Sequence, residues 1–343
     1  MFYLYFILVV LFIYVFSKLD KLMFKVLIFI FMTLIVVIAG LRYEIGTDYP
    51  TYRTIYDNLS VDTYQHIEPG YRLINLFFKY VGLSYAFTVF IFSFIVNLLF
   101  YRFIKKYSSS VFLSLLLYVL LNYYFIAFNA VRQMIAISIF LQAIPSIENK
   151  KYLRFILITL FAASFHYTAL IGLIYVMFKV KCSGIFFVFW FISLVFIFVP
   201  IQAVVLKLLP ASFKYSVYLS TSFFTESSSL AVLKSVVPNL IVLFLFFYLS
   251  YFQQKEHRFW LNVFIFSVAG INVTHGVNVL IRLNYIFLVS EIIFYPLCIS
   301  KFDRKERSLV AYVFLTYFIL FYILTVLIQG AQGVVPYRSI LFL

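Results

Sequence analysis

VLIFIFMTLIVVIAGL, residues 26–41, runs directly into RYEIGTDYPTYR, residues 42–53. The first stretch carries no charge; the second carries two Arg, one Glu and one Asp. This is the pattern of a helix leaving a bilayer, because hydrocarbon tolerates only backbone that satisfies itself and penalises charged side chains. Gly46 and Pro50 make the polar run a folded loop, since glycine tolerates positive φ while proline fixes φ and lacks a donor. The plain alternative to a functional loop is a solvated one that holds its own ion pairs.

The rest of the chain repeats the first half of that pattern. Mean hydropathy is +1.06, 65% of residues are hydrophobic and only 11% are charged, which leaves no room for a soluble domain. Apolar runs near 2–17, 26–41, 85–101, 111–128, 131–147, 152–164, 167–178, 184–205, 231–251, 258–274, 282–299 and 308–328 predict an all-α polytopic membrane protein of about 12 membrane helices. A β-barrel needs alternating strands of about ten residues and is excluded. Phe2–Phe16 lacks a basic start and a small-residue cleavage site, so it reads as a retained helix. Cys182 and Cys298, far apart in sequence, imply neither a disulfide nor a cysteine metal site. No repeat or linker interrupts residues 1–343, so a single domain is expected.

A net charge of +15 would suggest nucleic acid in a soluble protein, but here topology accounts for much of it. Placing 17–25 in the cytoplasm puts 17 of the 27 basic residues inside, as the positive-inside rule requires, with both termini outside. That assignment needs 152–178 to be a short hairpin near His166. A single crossing there would move the basic run Lys301 to Arg307 outside. Two longer external loops result, 42–84 and 206–230.

The type of basic residue separates the two faces. The inner set is mostly Lys, whereas Arg42, Arg53, Arg72, Arg132, Arg282 and Arg338 fall outside, and Arg grips phosphate or carboxylate through a planar fork. Arg42, Arg53 and Arg72 have Glu44, Asp48, Asp57 and Glu68 nearby and are open to pairing with them. Arg132 and Arg282 have no carboxylate close in sequence and open inward-running helices, with Asn129 as an N-cap before Arg132 and Gln133. An Arg at a helix N-terminus suits a diphosphate, although a headgroup anchor is the alternative. His166 interrupts an apolar stretch and suits acid–base work better than metal binding, since no second ligand has the right spacing. His66 and His257 read as solvated and His275 as structural. Glu291 is a further intramembrane ionisable residue.

The order Arg42-Tyr43-x-x-Gly46-Thr47-Asp48-Tyr49-x-x-Tyr52, Glu68-Pro69-Gly70-Tyr71, Phe128-x-x-x-Arg132-Gln133-x-x-Ala136, Ala162-x-x-x-His166-x-x-Ala169-Leu170, Arg282-x-x-Tyr285-Ile286 and Pro336-Tyr337 resembles the EpsG family of Wzy-like polysaccharide polymerases. The resemblance implies a GT-C-like polymerase/ligase architecture in the bacterial cytoplasmic (inner) membrane, with the active site facing outward. It implies a glycosyltransferase that moves a growing O-antigen, capsule or exopolysaccharide chain from undecaprenyl diphosphate to the next undecaprenyl-diphosphate-linked repeat. Donor and acceptor are then both lipid-linked, no cofactor, metal or nucleic acid is needed, and a chain-length regulator is a further expected partner. Under this reading Arg132 and Arg282 bind diphosphate, Gln133 is a further substrate-binding residue and His166 is the base. Arg42, Asp48, Arg53, Glu68 and Arg72 shape the site or bind acceptor, with Asp48 the alternative base. A lipid-linked glycan flippase or exporter, using the same arginines with Glu291 for coupling, and a membrane acyltransferase acting on glycans are the competing readings.

Overall fold

The computed structural model describes residues 2–16, 21–181, 183–199, 231–275 and 280–342. The expected external loop 206–230 and Cys182 lie outside them. Among the described residues every regular element is helical, with one isolated antiparallel bridge between Arg42 and Ser339. The chain groups into two compact units, Met1–Leu173 with Cys298–Leu343, and Ile174–Leu297.

The first unit contains α1 (Phe2–Phe16), α2 (Lys21–Gly40), α3 (Tyr49–Asp57), α4 (Pro69–Tyr80) and α5 (Tyr85–Tyr107). It continues through α6 (Val111–Leu120), α7 (Tyr123–Asn129), α8 (Val131–Leu141), α9 (Ile144–Glu148) and α10 (Tyr152–Ala163). At about 1.5 Å per residue the 23 residues of α5 extend about 34 Å, enough to cross a hydrocarbon core of about 30 Å. Its long partner is α2, and tyrosine hydroxyls tie neighbouring elements to α2 carbonyls: Tyr124 to Ile35 at 2.8 Å and Tyr337 to Ile38 at 3.0 Å. Such bonds matter in lipid, where an unpaired hydroxyl has no water to turn to.

Among the described residues three helices, Leu22–Gly40, Tyr85–Tyr107 and Arg304–Ile328, are long and apolar enough to cross a membrane alone. Two bent pairs, α6 with α7 at 48° and Ile281–Leu288 with Glu291–Ser300 at 44°, bring the number to five if each is one span. Several of the twelve expected crossings are therefore shorter apolar helices in the structure. The α6–α7 bend has a local cause. Asn122 adopts a left-handed φ of 68° between the two helices, and its amide donates to Thr325 Oγ1 at 2.8 Å.

The 152–178 region divides as its polar interruption suggests, into α10 and a 3-10 helix Tyr167–Lys179. The chain reverses between them. Phe140 on α8 packs against the Phe155 ring (centroids 6.1 Å apart) and also against Gly172. Run straight, residues 155 and 172 would stand about 25 Å apart. The turn itself, Ser164 to His166, is fixed by Gly70, whose N–H donates to Ser164 O at 2.7 Å. Only glycine fits there, since a Cβ would lie 2.9 Å from the same carbonyl oxygen and closer still to the Ser164 hydroxyl.

The second unit is organised around Lys255–Val273. Trp190 Nε1 donates to Asn239 Oδ1 (2.6 Å), Asn239 Nδ2 to Asn272 Oδ1 (2.7 Å) and Asn272 Nδ2 to Ser193 Oγ (2.9 Å), a buried polar chain linking three helices. Arg282 is exposed near the start of Ile281–Leu288, and Glu291 is buried at the start of Glu291–Ser300.

Candidate functional site

At one end of the first unit the 41–48 loop, the start of α4, the α7–α8 junction, the α10 turn and the 330–339 tail come together. Arg132, in the first turn of α8, pairs through Nη1 with Glu68 Oε2, and its Nε lies 3.5 Å from the Tyr52 hydroxyl. Arg132 has no carboxylate close in sequence, and the fold brings it one from 64 residues away. Glu68 is only 5% exposed, so its carboxylate needs that guanidinium. Arg132 remains 27% exposed at the side chain, and no described residue hydrogen-bonds its Nη2 edge. Nη1 and Nε are engaged, and Nη2 is the nitrogen left available.

The next residue serves a second group. Gln133 Nε2 donates to Thr168 Oγ1 at 3.2 Å, and Thr168 Oγ1 lies 2.7 Å from His166 Nδ1. The Thr168 backbone N–H also points at Nδ1, at 3.4 Å. With Gln133 donating to it, the Thr168 hydroxyl turns its own proton toward Nδ1, so this nitrogen accepts from two donors. A neutral imidazole held in this way carries its proton on Nε2. Of the two neutral tautomers, the one with its proton on Nε2 is the one that satisfies both donors at Nδ1.

Asn129 is the joint of the site rather than the helix cap expected before Arg132. It ends α7, while Ala130 stands at the cap position of α8. Its Oδ1 accepts from Thr47 Oγ1 (3.3 Å) and the Asp48 N–H (3.4 Å), and its Nδ2 donates to Gln332 O (2.7 Å) and Oε1 (2.8 Å). Gly46, at φ 98°, allows the approach: a Cβ there would sit 2.7 Å from Asn129 Oδ1 and 3.0 Å from Phe128 O. The tail adds Gly46 N–H to Gly333 O (3.1 Å), Tyr43 N–H to Arg338 O (3.0 Å) and an Arg338–Glu44 pair at 3.7 Å. With buried partners left unmade at roughly 1–3 kcal/mol each, Asn129→Ala should free both loop and tail. Limited proteolysis should then cut within 330–339 much faster than in the parent, and thermal unfolding in detergent should start at lower temperature. Asn129→Asp, which keeps the acceptor but loses the donor to Gln332, should release the tail more than the loop.

The remaining expected residues divide by availability. Asp48 is half-buried at the start of α3; its carboxylate accepts only from the Thr47 hydroxyl, at 3.3 Å, and caps no helix N–H. Arg53 is exposed, near Tyr43 OH (3.4 Å) and Asp57 (3.8 Å). Arg42, expected to shape the site or bind acceptor, is an internal strut. It is 4% exposed, its Nη1 donates to Ala39 O and to Ser93 Oγ (3.0 Å), and its guanidinium lies 4.6 Å from the Phe128 ring centroid. Burial also lowers its pKa from the ordinary value. Arg72, with the same two expected roles, holds the 60–63 loop through the carbonyls of Ser60, Val61 and Thr63. Arg282 belongs to the second unit. His66 stays in its loop near Tyr64.

Sequence reasoning missed Tyr52 and Thr168 as orienting groups and the 330–333 segment as a wall. The signal for the first two was present, since both lie within the motifs carrying Asp48 and His166. Among the described residues no three His, Cys, Asp or Glu side chains gather as metal ligands. Compared with known families, residues 25–339 match the model of the EpsG family. No curated protein and no solved structure matches the chain.

Proposed function

The chain belongs to the EpsG family, a family of Wzy-like polysaccharide polymerases, and from that premise we propose that it lengthens a lipid-linked glycan on the outer face of the bacterial cytoplasmic membrane. The growing chain passes from undecaprenyl diphosphate to a hydroxyl of the next undecaprenyl-diphosphate-linked repeat. The bond from the sugar C1 to the diphosphate oxygen breaks, and its electron pair leaves with the diphosphate. The bond from C1 to the acceptor oxygen forms, and the acceptor proton goes to a base.

The observation that carries this reading is the Glu68-anchored Arg132, with Nη2 of its guanidinium unspent, one residue before the Gln133–Thr168–His166 chain. Nη2 binds a diphosphate oxygen with charge assistance, and His166 Nε2–H donates to the charge that builds as the bond breaks. Asp48, a half-buried carboxylate across the Asn129 joint, takes the proton. The outward orientation is supported by charge. Leaving the site along α5 and α8 leads to Lys105, Lys106, Lys150 and Lys151, while α2 and Arg304–Tyr322 start at basic residues and run toward it. A basic far end is the cytoplasmic end.

Purified protein given a defined lipid-linked repeat should produce a glycan ladder. A flippase would leave the substrate covalently unchanged, and that result would end the polymerase reading. In the same assay His166→Ala should slow elongation by roughly 10²- to 10³-fold, the cost of removing one transition-state donor. His166→Gln retains an N–H and should recover most of the loss. Equal loss in the two variants would restore His166 as the base.

A further inference from the structure

Two neighbouring faces of α3 serve different places. Asp48 and Tyr52 lie on one, facing Asn129 and Arg132. Tyr49, Arg53 and Tyr56, at i, i+4 and i+7, lie on the next. These three line a cleft of about 500 Å3 together with Tyr43, Asp57 and Tyr85, and Ile340 of the tail closes part of its wall. The volume falls within the range of about 300–1,000 Å3 usual for small-molecule sites.

The lining has a definite chemistry. Tyr43–Tyr49, Tyr49–Tyr85 and Tyr56–Tyr85 rings meet with centroids 6.3, 5.2 and 5.6 Å apart, so the four tyrosines form one continuous aromatic wall in which half-buried Tyr43 is the exposed member and the buried Tyr49, Tyr56 and Tyr85 back it. At its rim Arg53 and Asp57 form an exposed pair, 3.8 Å apart, whose weak mutual attraction leaves both free to exchange partners. Lys79 is committed elsewhere, donating to the carbonyls of Asp57 (2.6 Å) and Leu59 (3.0 Å). A sugar ring presents an apolar C–H face and an edge of hydroxyls. An aromatic wall beside a planar donor fork and a carboxylate meets both at once. A lipid chain would leave Arg53 and Asp57 unmatched, and a phosphate would meet Asp57 with like charge.

We propose that this cleft holds sugars of the growing glycan that do not themselves react, next to the Arg132–His166 centre but separate from it. The assignment to a growing chain rests on the polymerase reading. A glycan held there stays beside the centre between transfers, so the cleft favours long products.

The test uses the full chain in lipid nanodiscs and, as probe, lipid-free fragments of two to four sugars cut from the host's own surface polysaccharide. Saturation-transfer NMR and calorimetry should detect binding to the parent. Tyr43→Ala and Arg53→Gln should each weaken it by roughly tenfold, the size of one lost charge-assisted contact. Both substitutions leave the buried Tyr49, Tyr52 and Tyr56 in place, and unchanged thermal unfolding will show that the fold is kept. With lipid-linked repeat the two variants should give a shorter ladder. Absence of fragment binding to the parent, or equal affinity in the parent and both variants, overturns the proposal. A parent that binds fragments but elongates nothing leaves the cleft standing and removes the polymerase reading; elongation without fragment binding does the reverse.

Discussion

Asp48→Asn is expected to reduce elongation by about 10²- to 10⁴-fold while leaving the protein folded and able to bind lipid-linked substrate. The amide keeps the shape of the carboxylate and can still accept from the Thr47 hydroxyl, and the Asp48 backbone N–H still reaches Asn129. What is lost is the ability to take a proton near neutral pH. The check is single-turnover elongation beside an equilibrium measurement of substrate binding. Normal elongation by Asp48→Asn would remove Asp48 as base. Lost binding together with lost elongation would instead place its charge in substrate recognition.

The second large effect belongs to Arg132 and Glu68 as a pair. Removing the guanidinium alone leaves a buried carboxylate uncompensated, at a cost of about 3–5 kcal/mol, so Arg132→Leu should accumulate poorly and unfold early. Replacing both, Arg132→Leu with Glu68→Leu, removes the stranded charge and should restore accumulation and thermal stability to near the parent. Activity should not return, because the diphosphate has lost its fork. Recovery of both stability and elongation in the double variant would make the pair purely structural. Arg132→Lys refines the point. It keeps a charge for Glu68 but loses the second edge, so it should be stable and slow.

The helices were legible because uncharged runs near bilayer length admit few alternatives, and the break after Ala163 was legible because His166 interrupts such a run. The α10 reversal follows from the same polar break once Gly70 and Phe140 supply partners for both arms. Arginine pairing was not legible. Distance along the chain says nothing about which carboxylate a side chain meets after folding, and Glu68 and Arg132 meet across the widest gap of any ion pair described in the first unit except Arg338 with Glu44. Arg42 reads as a loop charge but folds under its own loop, because the Phe128 ring and the Ser93 hydroxyl offer it a place inside. Asn129 carries the residue type of a cap, and only the arrival of the tail gives it a different use. The His166 tautomer needed Thr168 and Gln133 in space.

The tail's bonds to the 41–48 loop also set an order in time. Residues 42–48 leave the ribosome early, whereas Gln332, Gly333 and Arg338, which hold them, follow only after nearly every helix between has been made and inserted. A chain interrupted anywhere before that point has its arginines and histidine but no closed wall beside Asp48. Closure of this end of the first unit therefore waits for the last part of the chain to be made.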